Sequence, residues 1–346
     1  MSGSQTPFPV YKPTPNNWLS KIWLQVNVAY PSNAVATLVQ TDSGIFGVFA
    51  QVIFADSNQK PILQLSGYQL KCLNKYGGFF NVGDPCADAT YSNPLTSTPT
   101  AASFNLVIPV EVASRDCLGT LQNASGDSPF VVTVTLATEA SVFSTTPTNA
   151  PTVRLRITED GYTNPVSGVS PSPQAKGTTL YSIVGNYNLN AGSQSPQLTQ
   201  GMGYPVRMMT FINVDTSDST RATGDTDWPD PQLVQFKGLN MLNRSKTLWK
   251  ARMSKAYGLT NATAEVASAN PGGVSLGIDK GVYVLWFNQD FTNSPGDELR
   301  NAYLPTKTGD VFALNGSWGA ASTLYVIASY VAIPNGNLAS IRAGGR

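Results

Sequence analysis

Two uncharged apolar runs near the end of the chain limit what it can fold into more than any other feature. They are Gly281–Phe287 (GVYVLWF) and Thr323–Ile333 (TLYVIASYVAI). Successive side chains of a strand point to opposite faces, and in both runs the two alternating sets are almost entirely apolar. β-Branched and aromatic residues, which favour strands, dominate them. The runs therefore predict strands covered on both faces, and the short run Asp310–Leu314 between them predicts a third.

Shorter runs with a period of two predict further strands along the chain, and in Ile22–Tyr30 an apolar face alternates with a more polar one. The other predicted strands are Ile45–Phe54, Tyr68–Leu73, Phe104–Val110, Phe130–Leu136, Val153–Ile157, Thr179–Val184, Tyr204–Val214 and Leu233–Leu239. Their connections include a short turn at Asp56–Lys60 but long loops at 77–102 and 259–277. Long connections are typical of Greek-key sandwiches and jelly rolls. We therefore predict an all-β fold.

The 346 residues are enough for two domains that each bury a core. The stretch 163–177 (TNPVSGVSPSPQAKG) is rich in Pro, Ser and Gly and predicts the boundary between them. We predict an extended N-terminal arm (1–17), a first β-barrel (18–162), this linker, a second β-barrel (178–334) and a C-terminal tail (335–346). The arm and the tail are polar, with little or no core sequence, and we expect both to become ordered only against a partner.

One short amphipathic helix is predicted in the second half, at residues 244–257. Asn243 or Ser245 can cap its start, and Gly258 is suited to its end. Its apolar stripe is Leu248, Trp249, Met253, Ala256 and Tyr257, and its basic residues are Arg244, Lys246, Lys250, Arg252 and Lys255. The basic face is interpreted either as a solvated helix face or as a surface for acidic lipid headgroups or a neighbouring subunit.

The residue inventory argues against catalysis and against nucleic-acid binding. There is no histidine, which removes the commonest general base and most transition-metal sites. The net charge is +1, without the basic excess that a nucleic-acid surface needs. Two carboxylates, Glu111 and Asp116, are candidates for a hydrolytic pair, but no local feature marks them. We predict no catalytic residue and no cofactor.

A cluster of five aspartates is the only candidate for a cation site. Its members, Asp215, Asp218, Asp225, Asp227 and Asp230, supply oxygen ligands of the kind calcium prefers, but their spacing fits no EF-hand loop, and we predict no metal site. The three cysteines, Cys72, Cys86 and Cys117, have no zinc-binding spacing and are interpreted as reduced and buried. A single Cys72–Cys86 disulfide is the alternative.

Several segments, taken in order, resemble the double jelly-roll major capsid proteins of tectivirus-like, tailless icosahedral phages with an internal membrane. The closing segments DKGVYVLWFNQDF and NAYLPTKTGDVFALNGSWGAASTLYVIASYV are similar to the end of the second barrel in that family. In the first half, Val48–Gly78 and Phe104–Leu121 are similar to its strand, turn and strand patterns. The arm here is shorter and richer in proline than in better-known members, and 259–277 resembles an insertion.

The resemblance implies two jelly rolls in tandem and a structural role in a virion. It implies a major capsid protein that forms pseudo-hexagonal homotrimers, which tile an icosahedral shell over an internal membrane. The implied partners are further copies of the chain, minor capsid or vertex proteins and the internal lipid membrane, with no direct nucleic-acid contact. The protein is then expected in the capsid shell of the virion after synthesis in the host cytoplasm.

Two other functions share this composition. A receptor-binding spike or lectin-like β-sandwich protein also has many strands and long loops, and it is distinguished by glycan binding without lattice formation. A β-sandwich hydrolase requires a carboxylate pair such as Glu111 and Asp116. We expect the capsid function rather than either of these.

Overall fold

The computed structural model describes residues 1, 3–15, 17–31, 41–56, 58–79, 100–112, 119–123, 130–143, 145, 147–163, 179–257, 278–287 and 303–331. They form two compact units that divide between Tyr181 and Ser182. Apart from its first residue, the predicted linker 163–177 lies outside the described residues, as do the tail 335–346, Cys86, Cys117 and Asp116. The domain limits therefore stay a prediction.

Unit 1 consists of two antiparallel sheets and two helices. Its strands are β1 (Thr6–Pro7), β2 (Asn17–Tyr30), β3 (Phe49–Ala55), β4 (Pro61–Leu65), β5 (Thr100–Pro109), β6 (Leu121–Asn123), β7 (Val131–Leu136) and β8 (Thr152–Thr163); its helices are α1 (Gly67–Tyr76) and α2 (Glu139–Val142). One sheet has the order β1-β7-β3-β4. In the other, β2 pairs with β8 along one edge and with β5 and β6 along the other.

Unit 2 has the same two-sheet construction. Its elements are β9 (Leu180–Leu189), which begins just before the division, β10 (Gly192–Gln194), β11 (Gln197–Leu198), β12 (Val206–Asp215), α3 (Arg221–Asp227), β13 (Gln232–Phe236), β14 (Leu239–Arg244), α4 (Lys246–Tyr257), β15 (Val282–Trp286), β16 (Phe312–Trp318) and β17 (Ser322–Val331). The sheet orders are β9-β17-β12-β15 and β10-β16-β13-β14, and β11 also pairs with β16.

The strand pairs of unit 2 form a long hairpin that is wrapped into two sheets. The first strand pairs with the last (β9 with β17), the interrupted second strand with the next to last (β10 and β11 with β16), and so on inward to β12 with β15 and β13 with β14. This sequence of pairs defines a jelly roll. The predicted all-β fold is therefore confirmed, although its description with a single helix is wrong.

The apolar runs Gly281–Phe287 and Thr323–Ile333 contain β15 and most of β17, which lie on either side of β12. Every residue of β12 except Val214 is buried, and so are all residues of β17 except Thr323 and Tyr325. The prediction of strands covered on both faces is confirmed. Because a single copy of the chain already provides this cover, the apolar faces of these strands give no support to a trimer.

The predicted strand Tyr68–Leu73 is wrong, because these residues lie in helix α1. Ser66 caps the helix by accepting a hydrogen bond from the amide of Gln69, and the Gln69 side chain accepts one from the amide of Ser66. This reciprocal arrangement is a capping box, whose sequence signature is a Ser followed three residues later by Gln or Glu. The signature stands in the sequence at Ser66–Gln69, and it outweighs the aromatic and apolar content that favoured a strand.

The predicted strand Ile45–Phe54 is only half right, since residues Gly44–Val48 form a 3-10 turn and β3 begins at Phe49. The turn brings the carbonyl of Phe46 against the start of α1. A Cβ atom on Gly67 would lie 2.2 Å from that carbonyl oxygen, so only glycine fits there. Two further short helices, α2 and α3, and strand β4 are also absent from the sequence prediction.

Helix α1 lies along the outer edge of β5, and one side chain of the helix forms hydrogen bonds with the backbone of β5. The Asn74 side chain is fully buried, donates to the Val107 carbonyl at 2.7 Å and accepts from the Val107 amide at 2.8 Å. The side chain thus takes the place of a neighbouring strand at that residue. Cys72, from the same helix, is also fully buried, as predicted.

Replacing Asn74 with Ala is expected to destabilise the protein by about 2–4 kcal/mol, because it leaves a buried amide and a buried carbonyl of Val107 without partners. Chemical denaturation of the purified variant measures the change. Asn27→Ala is the matched control, since the Asn27 side chain donates only to Ser103 at the surface. Equal stability of the two variants would show that the Asn74 pairing does not stabilise unit 1.

Candidate assembly surfaces

The N-terminal arm lies against unit 1 of its own chain. Thr6 and Pro7 pair with the outer edge of β7, and Tyr11 continues the pairing by exchanging backbone hydrogen bonds with Val132. The ring of Phe8 packs edge to face against Phe49, with centroids 6.4 Å apart. The expectation that the arm is ordered only against a partner is therefore wrong for these residues, because β7 presents a free sheet edge that the arm covers.

The arm is also held at its two ends by polar contacts. The N-terminal ammonium donates to the Pro151 carbonyl at 2.6 Å, and the amide of Thr14 donates to the carboxylate of Glu159 at 2.8 Å. Burial, and after it the charge of Glu159, raises the pKa of Tyr11. Both anchors come from the region of β8, more than a hundred residues away in sequence, and no local signal identifies them.

Helix α4 confirms the helix predicted at 244–257. Ser245, one of the two predicted caps, accepts a hydrogen bond from the amide of Leu248 at 3.3 Å, and the carboxylate of Asp230 accepts from the amide of Lys246 at 3.1 Å. Trp249 and Met253 of the predicted apolar stripe are fully buried, whereas Leu248 is 46% exposed. Gly258 lies outside the described residues.

Most of the basic residues around α4 contact the protein itself. Arg244 lies over the ring of Trp249, with its guanidinium 5.8 Å from the ring centroid. The Lys246 ammonium donates to the carbonyls of Asp225 and Thr226 at the end of α3, where a cation is favoured by the helix dipole. Only Arg252 and Lys255 remain exposed. The helix is therefore neither a fully solvated basic face nor a strong electrostatic surface.

Lys250 is the centre of a network that anchors α4. Its ammonium lies 2.8 Å from the carboxylate of Asp225, donates to the carbonyls of Asp279 and Val282, and sits 4.3 Å from the ring centroid of Tyr283. The same Asp225 oxygen accepts from the amide of Gly281 and from the hydroxyl of Tyr283. The network thus joins α3 and α4 to the segment that enters β15.

The network determines the charge state of its members. Burial alone would raise the pKa of Asp225, but the Lys250 ammonium and the hydrogen bonds from Lys250, Gly281 and Tyr283 outweigh it and lower that pKa. Burial and the Asp225 charge raise the pKa of Tyr283, which keeps its hydroxyl protonated. The Asp225–Lys250 pair is structural, because the Lys250 ammonium contacts the carboxylate and two carbonyls and the same carboxylate oxygen also accepts from Gly281 and Tyr283.

A group of aromatic side chains packs next to the Lys250 network in unit 2. Trp228 stacks on Tyr283 with centroids 4.1 Å apart and lies edge to face with Trp249 at 6.2 Å. The indole nitrogen of Trp249 donates to the Val284 carbonyl at 2.8 Å. Trp318 and Phe211 complete the group. The packing of these rings and the Lys250 network together hold α3 and α4 against the sheet that contains β15.

The five aspartates of the predicted acidic cluster have separate roles. The Asp215 carboxylate accepts hydrogen bonds from the amides of Ser217 and Asp218. The Asp218 carboxylate accepts from the amide of Thr220 and the hydroxyl of Thr223. Asp225 belongs to the Lys250 network, and Asp230 caps α4. Burial and the nearby Asp215 charge raise the pKa of Asp227. In the part of the chain that the structure describes, no three His, Cys, Asp or Glu side chains converge on a possible metal position. The absence of a metal site stays a prediction.

The structure does not bring a catalytic pair together from described residues. Glu111 is 3% exposed, lies 3.9 Å from the Lys21 ammonium and accepts from the hydroxyl of Tyr162 at 3.1 Å. A buried carboxylate held in this way has a structural role in unit 1, and its proposed partner Asp116 lies outside the described residues. Among the helices of the described residues, none is long and apolar enough to span a membrane.

One surface feature was not predicted from the sequence. Leu239, Met241 and Val311 are exposed by 73%, 37% and 39%, although two of them fall in runs assigned to strands. They lie at or close to two adjoining turns of unit 2. The signal available in the sequence was the pair Lys237–Gly238, which favours a tight turn and therefore places Leu239 at its end.

Comparison with solved structures finds the same fold in viral capsid proteins. The STIV MCP, a major capsid protein, matches 96% of this chain and 93% of its own with a TM-score of 0.62 at 13% sequence identity. A second structure, from Sulfolobus Turreted Icosahedral Virus, covers 99% of this chain and 92% of its own, with a TM-score of 0.54 and 14% identity. No family model matches the sequence, and no curated protein sequence does either. The chain therefore has the double jelly-roll fold of major capsid proteins.

Acid is expected to weaken the anchor of α4. The pKa of Asp225 is lower in the folded protein than in the unfolded chain, where it is about 4. The Asp225 charge therefore contributes fully to stability above about pH 4. That contribution is lost as the pH falls through the lower, folded value. Unfolding free energies measured from neutral pH down to this range should therefore fall less steeply for Asp225→Asn than for the unmodified protein.

At neutral pH the same variant should be less stable, because Lys250 loses its counter-charge. Asp218→Asn is the control for removing one carboxylate from this region without affecting Lys250. Parallel pH profiles for Asp225→Asn and the unmodified protein would contradict the assignment.

Proposed function

We propose that this protein is the major capsid subunit of an icosahedral virus. In this proposal three copies of the chain associate into a pseudo-hexagonal homotrimer, and the trimers tile the virion shell over an internal membrane. The role is structural, not enzymatic. The subunit would be made in the host cytoplasm and act in the virion, with further copies of itself and minor capsid or vertex proteins as partners.

The observation that carries the proposal is the double jelly roll over nearly the whole chain. The match to the STIV MCP spans both units and leaves only a few per cent of either chain uncovered. The resemblance of several segments to capsid proteins of tectivirus-like phages supports the same function, and a phage host stays a prediction.

Two features of the described residues fit a shell subunit. The described turns, such as Lys237–Gly238 between β13 and β14, join strands at their ends, where loop length can vary without disturbing the sheets. The arm covers the free edge of β7, and a paired strand of this kind can exchange between neighbouring copies without changing its contacts. Loops 77–102 and 259–277, which lie mostly outside the described residues, stay candidates for exterior towers or for the rims of the barrels.

The solution mass tests the proposal directly. Light scattering on a sizing column is expected to give one species at about three times the 36.8 kDa chain mass, and electron microscopy of concentrated protein is expected to show hexagonal arrays. A stable monomer at high concentration would contradict the capsid function. Binding to a glycan array by such a monomer would favour the receptor-binding alternative.

Deleting residues 1–17 is expected to leave the three-chain species intact and to abolish lattice formation. The arm contacts unit 1 along β7 and β8, at Phe49 of β3 and at the Asn123 side chain of β6. Its loss therefore exposes one sheet edge but, apart from β1 and the first residue of β2, leaves the sheets complete. Light scattering reports the first outcome and electron microscopy the second.

A deletion of residues 2–4 is the matched control, because it keeps the pairing of Thr6, Pro7 and Tyr11. If the longer deletion yields monomers, the arm acts inside the trimer instead. If it assembles normally, the arm has no part in the lattice.

A further inference from the structure

Two tight turns lie side by side at one end of unit 2. The first joins β13 to β14 through Lys237 and Gly238, whose φ angles of 53° and 75° are both positive, as a two-residue hairpin turn of this type requires. The second turn spans Lys307–Asp310 and is closed by a hydrogen bond from the Asp310 amide to the Lys307 carbonyl. We call the two turns, with Leu239, Met241 and Val311, the hairpin tip.

The two turns are fastened to each other. The Lys237 amide donates to the Val311 carbonyl at 2.9 Å, and the Lys237 ammonium lies 3.0 Å from the carboxylate of Asp310. Beneath them, the ring of Phe236 contacts the buried ring of Phe312. The hairpin tip is therefore a supported projection and not a loose loop.

Its surface combines apolar side chains with lysines. Three of the five large hydrophobic side chains that are exposed among the described residues belong to the hairpin tip, and Leu239, at 73%, is the most exposed of them. Lys237 and Lys307 flank them, and Asp310 is the single acidic residue of the two turns. The hairpin tip consequently carries a net positive charge beside its apolar side chains.

The shape and size of this surface favour lipid over protein. A Cβ atom built on Gly238 or on Gly309 would have no atom within 4 Å, so both turns protrude and form no groove for a peptide. Three side chains supply far less than the roughly 800 Å² that each partner buries in a stable protein interface. Shallow insertion of a few apolar side chains, with lysines at the headgroup level, is instead how interfacial segments bind anionic bilayers.

We propose that the hairpin tip of unit 2 binds an anionic lipid surface, with Leu239, Met241 and Val311 inserted among the lipids and Lys237 and Lys307 at the headgroups. The inference rests on the proposed function, in which the shell encloses a membrane, and identifies the surface that meets it. Helix α4 is not part of this lipid-binding surface, because most of its basic residues contact the protein itself.

Flotation of the full-length protein with vesicles tests the proposal. The probes are vesicles of phosphatidylcholine with phosphatidylglycerol and vesicles of phosphatidylcholine alone. We expect flotation with the first and much less with the second. The variant Leu239→Ser/Val311→Ser should reduce vesicle binding about tenfold or more, because two inserted apolar side chains are lost. Both side chains are exposed, so folding should be unaffected, which the thermal unfolding midpoint verifies.

The matched control is Leu248→Ser, which removes another exposed leucine of unit 2, from α4, and should leave flotation unchanged. A second control, Arg252→Ala/Lys255→Ala, removes the exposed charges of α4. The proposal is overturned if the hairpin-tip variant floats like the unmodified protein, or if only the α4 variants lose flotation.

Light scattering on the same samples separates this proposal from the proposed function. If the hairpin-tip variant loses the three-chain mass, a second copy of the chain occupies this surface and the lipid proposal is wrong. If the unmodified protein forms trimers and lattices but never floats, the proposal fails while the capsid function stands. If it floats through the hairpin tip as a monomer, the lipid site stands and the capsid function fails.

Discussion

The pairing of β12 with β17 is the interaction on which the rest of unit 2 depends. It joins segments more than a hundred residues apart in continuous register from Met208 to Asp215, with one irregularity near Val206. Because both strands are buried, their backbone groups have no water to bind and must pair with each other. Because β17 also pairs with β9 and β12 also pairs with β15, this pair joins the two halves of the sheet β9-β17-β12-β15. Such distant pairings carry a loop-closure cost that local helices do not.

Polar side chains then determine where the helices lie on these sheets. Asn74 binds the backbone of β5 as a strand would, and Lys250 is enclosed by Asp225 and two carbonyls at the start of β15. Apolar packing is not directional and tolerates several helix positions, whereas a buried ion or amide is stable only where all of its partners are available. The same logic explains why the basic residues of α4 give little charge to the surface. Arg244, Lys246 and Lys250 are half-buried and contact groups of unit 2, and only Arg252 and Lys255 stay exposed.

The surfaces proposed for assembly and for lipid binding lie at a sheet edge and at turns, because the inner faces of the sheets are packed in the cores of the two units. The outer edge of β7 is covered by the arm, and the exposed apolar side chains concentrate at the hairpin tip. Neither surface resembles an enzyme site, in which perturbed carboxylates and donors converge in a cleft. Among the described residues, Asp225 and Tyr283 face each other inside a structural network, where burial and the Asp225 charge raise the pKa of Tyr283. The polar groups of this network hold α3 and α4 against the start of β15.

The strands with clear alternation or a fully apolar run could be predicted from the sequence, because the period of two is a local property of the backbone. β2, β5, β7, β12, β15 and β17 all lie within or close to their predicted ranges. Helix α1 was also determined locally, by the capping box at Ser66–Gln69, and was missed because its apolar and aromatic residues resemble a strand. Helix α4 was predicted correctly from its cap and stripe, but the orientation of its lysines was not.

What the sequence by itself determined was the all-β class, the positions of most strands and, through ordered segments, the likeness to double jelly-roll capsid proteins. Only the tertiary structure decided which strands pair, that the arm lies on β7, that Lys250 is internal, and that Leu239, Met241 and Val311 share one exposed tip. The physical reason is distance along the chain. Periodicity and capping act over a few residues, whereas these contacts join groups separated by dozens to hundreds of residues, and many different partners would satisfy the same local pattern.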